Sequence, residues 1–263
     1  MSKIKLFHPI TYPNELLVIR SKLQELPHDL KNSLYLTNNL PYDIYALIDN
    51  NKTPLGILAM KISNILESCE MVVYHNTRLF DKENIQNHGL IFSDERYIQS
   101  LKRGMYANHI SSVLTEKVIN AIIDEQERWN SNRKNAVCFI YNMDDYMEYN
   151  KFLAIYGGEF MEYALYTIRK DLLPSQYRDI LKLGKPYIIE FSIPFTWFDA
   201  SSQKDIIKHI LEYWICLDIR NEEPPHNREG RIEHEIPPEK IIKIHEIKDE
   251  FPEVDDWLFY ENE

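Results

Sequence analysis

The chain has 263 residues, of which 44% are hydrophobic and 12% aromatic, and its formal net charge at pH 7 is −11. An acidic surface gains little binding free energy from contact with a polyanion, which disfavours a protein that coats nucleic acid broadly. One nucleic-acid substrate bound in a local basic groove remains compatible with this charge. No apolar run reaches the ~20 residues that cross a bilayer, and the first residues lack the regions of a signal peptide, so we expect a cytoplasmic protein without a membrane partner.

Metal and redox sites are not predicted. The cysteines Cys69, Cys138 and Cys216 lie far apart and form no CxxC pair, which favours small buried hydrophobes in a reducing compartment over a catalytic thiol. The nine histidines are scattered. The motifs GxGxxG, GxxxxGK[ST], GxSxG and HExxH are absent from the sequence, so Rossmann, P-loop, α/β-hydrolase and zincin assignments lack their usual support.

The predicted elements follow one another as a mixture of helices and strands, without the regular alternation of a doubly wound fold. The first seventy residues are expected to form a helical N-terminal region with helices at 13–26 and 53–69 and one short strand, "YDIYALID", between them. Residues 71–263 are expected to form an α+β domain. Within it the predicted strands are 70–80, 135–142, 163–168, 185–195 and one or two after residue 229, and the predicted helices are 81–88, 93–103, 105–129, 144–160, 174–183 and 201–219.

The stretch "VVYHNTRLFDKENIQNHGL" joins a strand to a short helix that begins near Asp81 and stops at Gly89. His75 and Thr77 are two residues apart, so a strand presents both side chains on one face. That geometry suits two polar groups that grip one ligand. It equally suits two side chains that bond backbone groups at an ordinary strand end.

The pair Gly157–Gly158 ends the predicted helix at 144–160 and presents Glu159 at a bend. Two glycines allow close approach of a ligand to the backbone, whereas the alternative is a helix stop followed by a surface acid.

Four segments in order resemble the motifs of the ADP-ribosyltransferase-like superfamily: "YHNTRLFDKENIQNHGL", "NRKNAVCFIYN", "GKPYIIEFSIP" and "REGRIEHEIPPEKIIKI". The segment "FLAIYGGEFMEYAL" is similar to a feature of uncharacterised bacterial and phage-defence-type members. The resemblance covers about residues 71–247 and implies a split β-sheet core with a helical insertion.

The resemblance also implies roles for individual residues. His75 would contact the ribose of NAD, and the backbone at Thr77 would hold the nicotinamide amide. The late strand usually carries a catalytic glutamate. Here it offers Glu233 and Glu235 on one face and Glu229 near a turn, and a carboxylate at this position would stabilise the oxocarbenium-like ribose.

We rank the candidate acids with Glu159 and Glu233 first, Glu235 next and Glu229 last. Further cofactor-binding candidates are Arg78 and Arg133 for the diphosphate, Tyr141 or Tyr156 for stacking, and the backbone of Gly157 and Gly158. For Arg78, a salt bridge on the face opposite His75 is as good an explanation. For any one of the 17 tyrosines, a core position is the better one.

The resemblance predicts an enzyme that cleaves the nicotinamide–ribose bond of NAD and transfers ADP-ribose to a macromolecule, as a toxin or antiviral defence effector. NAD hydrolysis is the variant in which water is the acceptor. A non-catalytic binding or antitoxin-like protein of the same fold is the alternative, because residues 221–263 hold 14 acidic against 5 basic residues and suit a basic partner. A nuclease or phosphotransferase using His75, Arg78 and Arg133 is a third possibility.

Overall fold

The computed structural model describes residues 2–6, 8–79, 82–91, 95–130, 137–141, 165–181, 183–224 and 229–247. The strands in these ranges are β1 (Ser2–Lys5), β2 (Cys69–Leu79), β3 (Val137–Ile140), β4 (Lys185–Pro194), β5 (Glu229–Ile232) and β6 (Ile241–Glu246). The helices are α1 (Asn14–Ser21), α2 (His28–Leu36), α3 (Leu40–Ile48), α4 (Pro54–Leu66), α5 (Lys82–His88), α6 (Glu95–Ala107), α7 (Ser112–Asn130), α8 (Pro174–Leu181) and α9 (Ala200–Ile215).

The described strands form one mixed sheet in the order β5-β3-β2-β4-β6, with β1 parallel to β2. The prediction of an α+β protein is therefore confirmed. β2 and β4 are buried on both faces, which agrees with their runs of β-branched and aromatic residues. β2 is the central strand of the sheet and pairs with β1 and β3 on one edge and with β4 on the other.

The main core lies on one face of the sheet. Helices α1, α3, α4 and α9 contribute to one cluster of buried side chains together with β2 and β4. Trp214 of α9 and Phe191 of β4 are fully buried there, and the ring of Trp214 meets that of Tyr12 edge-on at 6.1 Å between centroids. Residues of the first seventy thus share their core with the sheet, and β1 extends it.

A second, smaller core joins α6 to α7. Leu101 and Met105 of α6 are buried one turn apart, as are Val118 and Ile122 of α7. Leu165 and Ile180 pack into the same cluster. The two helices predicted at 93–103 and 105–129 are present as α6 and α7, with different bounds. The break between them falls at residues 108–111 rather than at 104, and His109 adopts a left-handed backbone there with φ of 61°.

Two predicted strands are wrong. "YDIYALID" lies within helix α3, where Leu40 and Ile44 are buried one turn apart, a spacing that a strand does not give. In the predicted strand at 163–168, residues 165–168 are helical and bury Leu165 in the second core. Strand β1 and helix α2 were not predicted, although Ile4 and Leu6 alternate with polar residues as an extended segment requires.

Candidate functional site

The pairing partners of β2 change along its length. β4 pairs with β2 from Glu70 to Leu79 along one edge. On the other edge β1 pairs as far as Val72, and β3 then meets β2 at Tyr74, opposite Ile140. Within the described residues the register between β2 and β3 does not extend beyond this pair. The next residue of β2 is His75, so the candidate histidine directly follows the described pair between β2 and β3.

His75 and Thr77 lie on the same face of β2, as their spacing predicts. Their register partners on β4 are Ile189 and Tyr187, and both side chains are half-buried. Tyr74 and Asn76 occupy the opposite face and are buried, with 3% and 7% of their surfaces exposed. Each of His75 and Thr77 therefore combines a fixed strand position with partial access, which is what a ligand-gripping residue needs.

The glycine that ends α5 connects the first segment of the resemblance to the last. Gly89 has a left-handed backbone with φ of 74°, and the residue after it, Leu90, forms an antiparallel bridge with Ile236. The amide of Leu90 donates to the carbonyl of Ile236 at 2.8 Å, and the amide of Ile236 donates back at 2.9 Å. The Gly-Leu and Ile-Pro-Pro sequences, which are far apart in the chain, are thereby hydrogen-bonded neighbours.

The late strand, β5, joins the sheet through β3. Glu229 pairs with Ile140, which itself pairs with Tyr74, so one row of backbone positions runs from Glu229 to Tyr74. In the following row, a Cβ at Gly230 would lie 2.5 Å from the ring of Phe139. Positions of one row share a face of the sheet, and the face of Tyr74 is opposite to that of His75, so the register does not raise Glu229 above its last place among the sequence candidates.

The other two late glutamates follow the strand. Glu233 is half-buried at the bend after β5. Glu235 accepts a hydrogen bond from the guanidinium of Arg96 on α6 and forms an ion pair with it. A carboxylate that is paired with an arginine stabilises a developing positive charge on a ribose less well, because its own negative charge is already compensated. This contact makes Glu235 a weaker candidate for the catalytic carboxylate.

Several predicted site residues fall outside the part that the structure describes. These residues are Arg133, Tyr156, Gly157, Gly158 and Glu159, together with the predicted helix at 144–160. Arg78 is a described strand position opposite Pro186, whereas its side chain is not described. Their assignments stay predictions.

Tyr141, proposed above as a stacking residue, is a core residue instead. Only 1% of its surface is exposed, and its ring meets that of Phe139 edge-on at 5.0 Å and that of His209 at 6.0 Å. Burial raises the pKa of its hydroxyl far above the ordinary value. The ring is enclosed by its neighbours, so a nicotinamide or adenine has no access to it.

A polar cluster that the sequence reasoning missed lies on the sheet face opposite His75. Glu190 of β4 accepts hydrogen bonds from Lys5 Nζ at 3.0 Å and His245 Nε2 at 2.9 Å. Glu70 of β2 accepts from Ser192 Oγ at 2.9 Å and from Lys240 Nζ. A charged residue inside the apolar run "PYIIEFSIP" was the sequence signal, because such a residue needs a partner when it is buried.

The two carboxyl groups of this cluster are held ionised. The hydrogen bond from Lys240 lowers the pKa of Glu70 against the opposing effect of its burial. For Glu190, burial favours the neutral form, but the hydrogen bonds from His245 and Lys5 outweigh it and lower the pKa. Since each carboxylate is about nine-tenths buried and fully engaged, the cluster ties β1, β2, β4 and β6 together rather than offering a reactive acid.

Comparisons with known protein families, with curated proteins and with solved structures find no match for this chain. In the described ranges no helix is both long and apolar enough to span a membrane. Among the same residues no three His, Cys, Asp or Glu side chains are grouped as metal ligands would be. Cys69 and Cys216 are buried free thiols, as predicted.

Proposed function

We propose that this chain is an ADP-ribosyltransferase-like enzyme that binds NAD beside the paired residues of β2 and β3 and cleaves the nicotinamide–ribose bond. The observation that carries the proposal is the hydrogen-bonded bridge between Leu90 and Ile236. It makes neighbours of the two segments that the resemblance treats as parts of one site. The half-buried position of His75, next to the pair of Tyr74 and Ile140, supports the same assignment.

In the proposed reaction the bond between the ribose C1′ and the nicotinamide nitrogen breaks, and its electron pair leaves with nicotinamide. The ribose becomes positively charged as an oxocarbenium-like species, and a nearby carboxylate stabilises that charge. An acceptor oxygen or nitrogen then bonds to C1′ and releases its proton to solvent or a basic group. His75 would hold the ribose, and the backbone at Thr77 would orient the nicotinamide amide.

The acid is proposed to come from the β5 segment or from Glu159. Among the described residues, Glu229 shares a row with Tyr74, on the face opposite His75, and Glu233 follows at the end of the strand. Glu235 is already held by Arg96. A toxin or antiviral effector role and the identity of the macromolecular acceptor belong to the same proposal and depend on the resemblance alone.

The test measures nicotinamide release from labelled NAD, with and without a cell lysate that supplies acceptors. We expect release by the wild-type protein, and a loss of at least about 100-fold in His75→Ala and in one of Glu229→Gln, Glu233→Gln or Glu159→Gln. His88→Ala is the matched control, because His88 is an exposed histidine in the last turn of α5. Labelled macromolecule indicates transfer, and free ADP-ribose alone indicates hydrolysis.

Equal activity of wild type, His75→Ala and His88→Ala would refute the proposal, as would the absence of any release. Circular dichroism on each variant separates lost chemistry from lost folding. Saturable NAD binding without release would instead select the non-catalytic alternative.

A further inference from the structure

A groove of about 450 Å³ runs along the exposed side of α6 and is lined by Glu95, Arg96, Gln99 and Arg103. Three of these residues follow a helical spacing of three and four, so their side chains share one face. The opposite face of α6 packs Ile98, Leu101 and Met105 into the second core, which fixes the helix in place. The groove therefore has a wall of fixed position that presents two guanidinium groups and the carboxylate of Glu95.

The ligand that fits this wall is anionic. Arg96 and Arg103 are separated by two turns, or about 10 Å of helix rise, and Gln99 lies between them with an amide that donates and accepts. Arg103 is exposed and has no ion pair among the described residues. An exposed guanidinium presents planar pairs of N–H donors, and these match the oxygens of a phosphate group.

The partner of Arg96 narrows the choice between phosphate and carboxylate ligands. Arg96 already binds a carboxylate, that of Glu235, and the two side chains are 59% and 37% exposed. Such a surface ion pair is worth about 0–1 kcal/mol, so it opens readily. A ligand carboxylate would replace the carboxylate of Glu235 with a group of the same charge. A terminal phosphate carries about −1.5 to −2 charges and therefore competes better for Arg96.

The extent of the groove and the overall charge favour a small ligand over a nucleic acid strand. The groove is largely open to solvent, and its lining is confined to residues 95–103 of α6. A net charge of −11 works against a long polyanion at salt concentrations that screen only short distances.

We propose that the α6 groove binds the phosphate groups of a nucleotide-sized ligand through Arg103 and Arg96, and that binding exchanges Glu235 for phosphate on Arg96. The groove adjoins the late segment through Glu235 but uses none of the residues assigned to the ribose and nicotinamide. Its assignment does not depend on NAD cleavage. Two sources supply such a phosphate, NAD itself and a separate nucleotide, and competition between NAD and ADP distinguishes them.

Isothermal titration calorimetry on the full chain tests the groove with inorganic pyrophosphate, ADP and adenosine as probes. We expect saturable binding of pyrophosphate and ADP and none of adenosine. Arg103→Gln should weaken binding at least about tenfold, because it removes a charge-assisted pair of hydrogen bonds. Lys102→Gln is the matched control: it removes one positive charge from the next residue of α6, whose side chain pairs with Glu116. We expect less than a twofold change in this control.

Glu235→Gln gives a result that a structural role of the ion pair does not predict. It removes one carboxylate that competes for Arg96, so the affinity for pyrophosphate should rise up to about fivefold. Equal weakening by Arg103→Gln and Lys102→Gln, binding of adenosine as tight as that of ADP, or a weaker affinity in Glu235→Gln would each overturn the proposal.

A competition arm identifies the source of the phosphate. If NAD displaces ADP in wild type, and NAD binding weakens together with ADP binding in Arg103→Gln, the groove holds the diphosphate of NAD. If NAD and ADP bind at once, it holds a second nucleotide. Nicotinamide release without binding of pyrophosphate or ADP would refute the proposed phosphate site in the α6 groove and would not contradict the proposed enzymatic function.

Discussion

Replacing Gly89 by alanine should separate the two segments that meet at the candidate site. The backbone of Gly89 has a φ of 74°, which L-residues adopt at a cost of about 1–2 kcal/mol. A Cβ at this position would lie 1.8 Å from the carbonyl oxygen of Ile236. The obstacle is backbone rather than a flexible side chain, so the bridge itself must move.

The magnitude follows from what that movement breaks. The Cβ and the oxygen must separate to at least the 3.0 Å that real Cβ contacts keep, while the bridge bonds between Leu90 and Ile236 measure only 2.8 and 2.9 Å. Losing both bonds costs about 0.5–1.5 kcal/mol each. Together with the left-handed backbone, Gly89→Ala should lower the free energy of unfolding by about 2–5 kcal/mol.

Urea unfolding followed by tryptophan fluorescence measures this effect. Gln86→Ala, an exposed position on the same helix, is the control and should stay within about 0.5 kcal/mol of wild type. Gly89→Asn separates the two causes, because asparagine tolerates the left-handed backbone but retains a Cβ. If Gly89→Ala and Gln86→Ala have the same free energy of unfolding, the close contact between Gly89 and Ile236 does not contribute to stability and the reasoning is refuted.

Two further predictions concern stability away from this bridge. The pKa values of Glu70 and Glu190 are lowered by folding, so their stabilisation is present above the ordinary pKa near 4.5 and is lost as the pH falls through the lower folded values. Glu190→Gln should therefore cost about 1–3 kcal/mol in urea at about pH 7 and much less at about pH 3, and a pH-independent difference would refute the assignment. Arg20 donates from Nε and Nη2 to the two oxygens of Asp218 at 2.7 and 2.6 Å, which ties α1 to the turn after α9. Arg20→Lys should lose this paired geometry and about 1 kcal/mol by thermal or urea unfolding, whereas Lys22→Ala should change little, since the exposed ion pair of Lys22 with Glu25 lies within one turn.

The sequence predicted most of the sheet because β2 and β4 are long runs of β-branched and aromatic residues. Their length and composition favour a strand without reference to tertiary contacts. "YDIYALID" shares this composition but is helical, because Leu40 and Ile44 bury one face of a helix against α4 and α9. Short aromatic-rich runs fit both periods, and only the packing partner decides between them.

The candidate site was predictable in part for the same reason. The strand position of His75 and the glycine at 89 follow from local patterns, namely alternation along a strand and a glycine after a helix. Which glutamate approaches His75 depends on the register of β5 against β3, and neither strand contains information about that register on its own. The pairing of Glu235 with Arg96 was likewise invisible in sequence, since the two lie on separate elements.

The pairing of β2 also determines when the sheet is completed during synthesis. Its first partner, β1, is already made when β2 emerges, but β1 covers only the edge at residues 69–72. The long partner, β4, is more than a hundred residues further along the chain. Until then β2 presents an apolar strand with an open edge, which is the kind of surface that pairs with other copies. Because α1, α3 and α4 precede β2 in the chain and share its core, we expect their early packing to cover one face of the central strand before β4 is made.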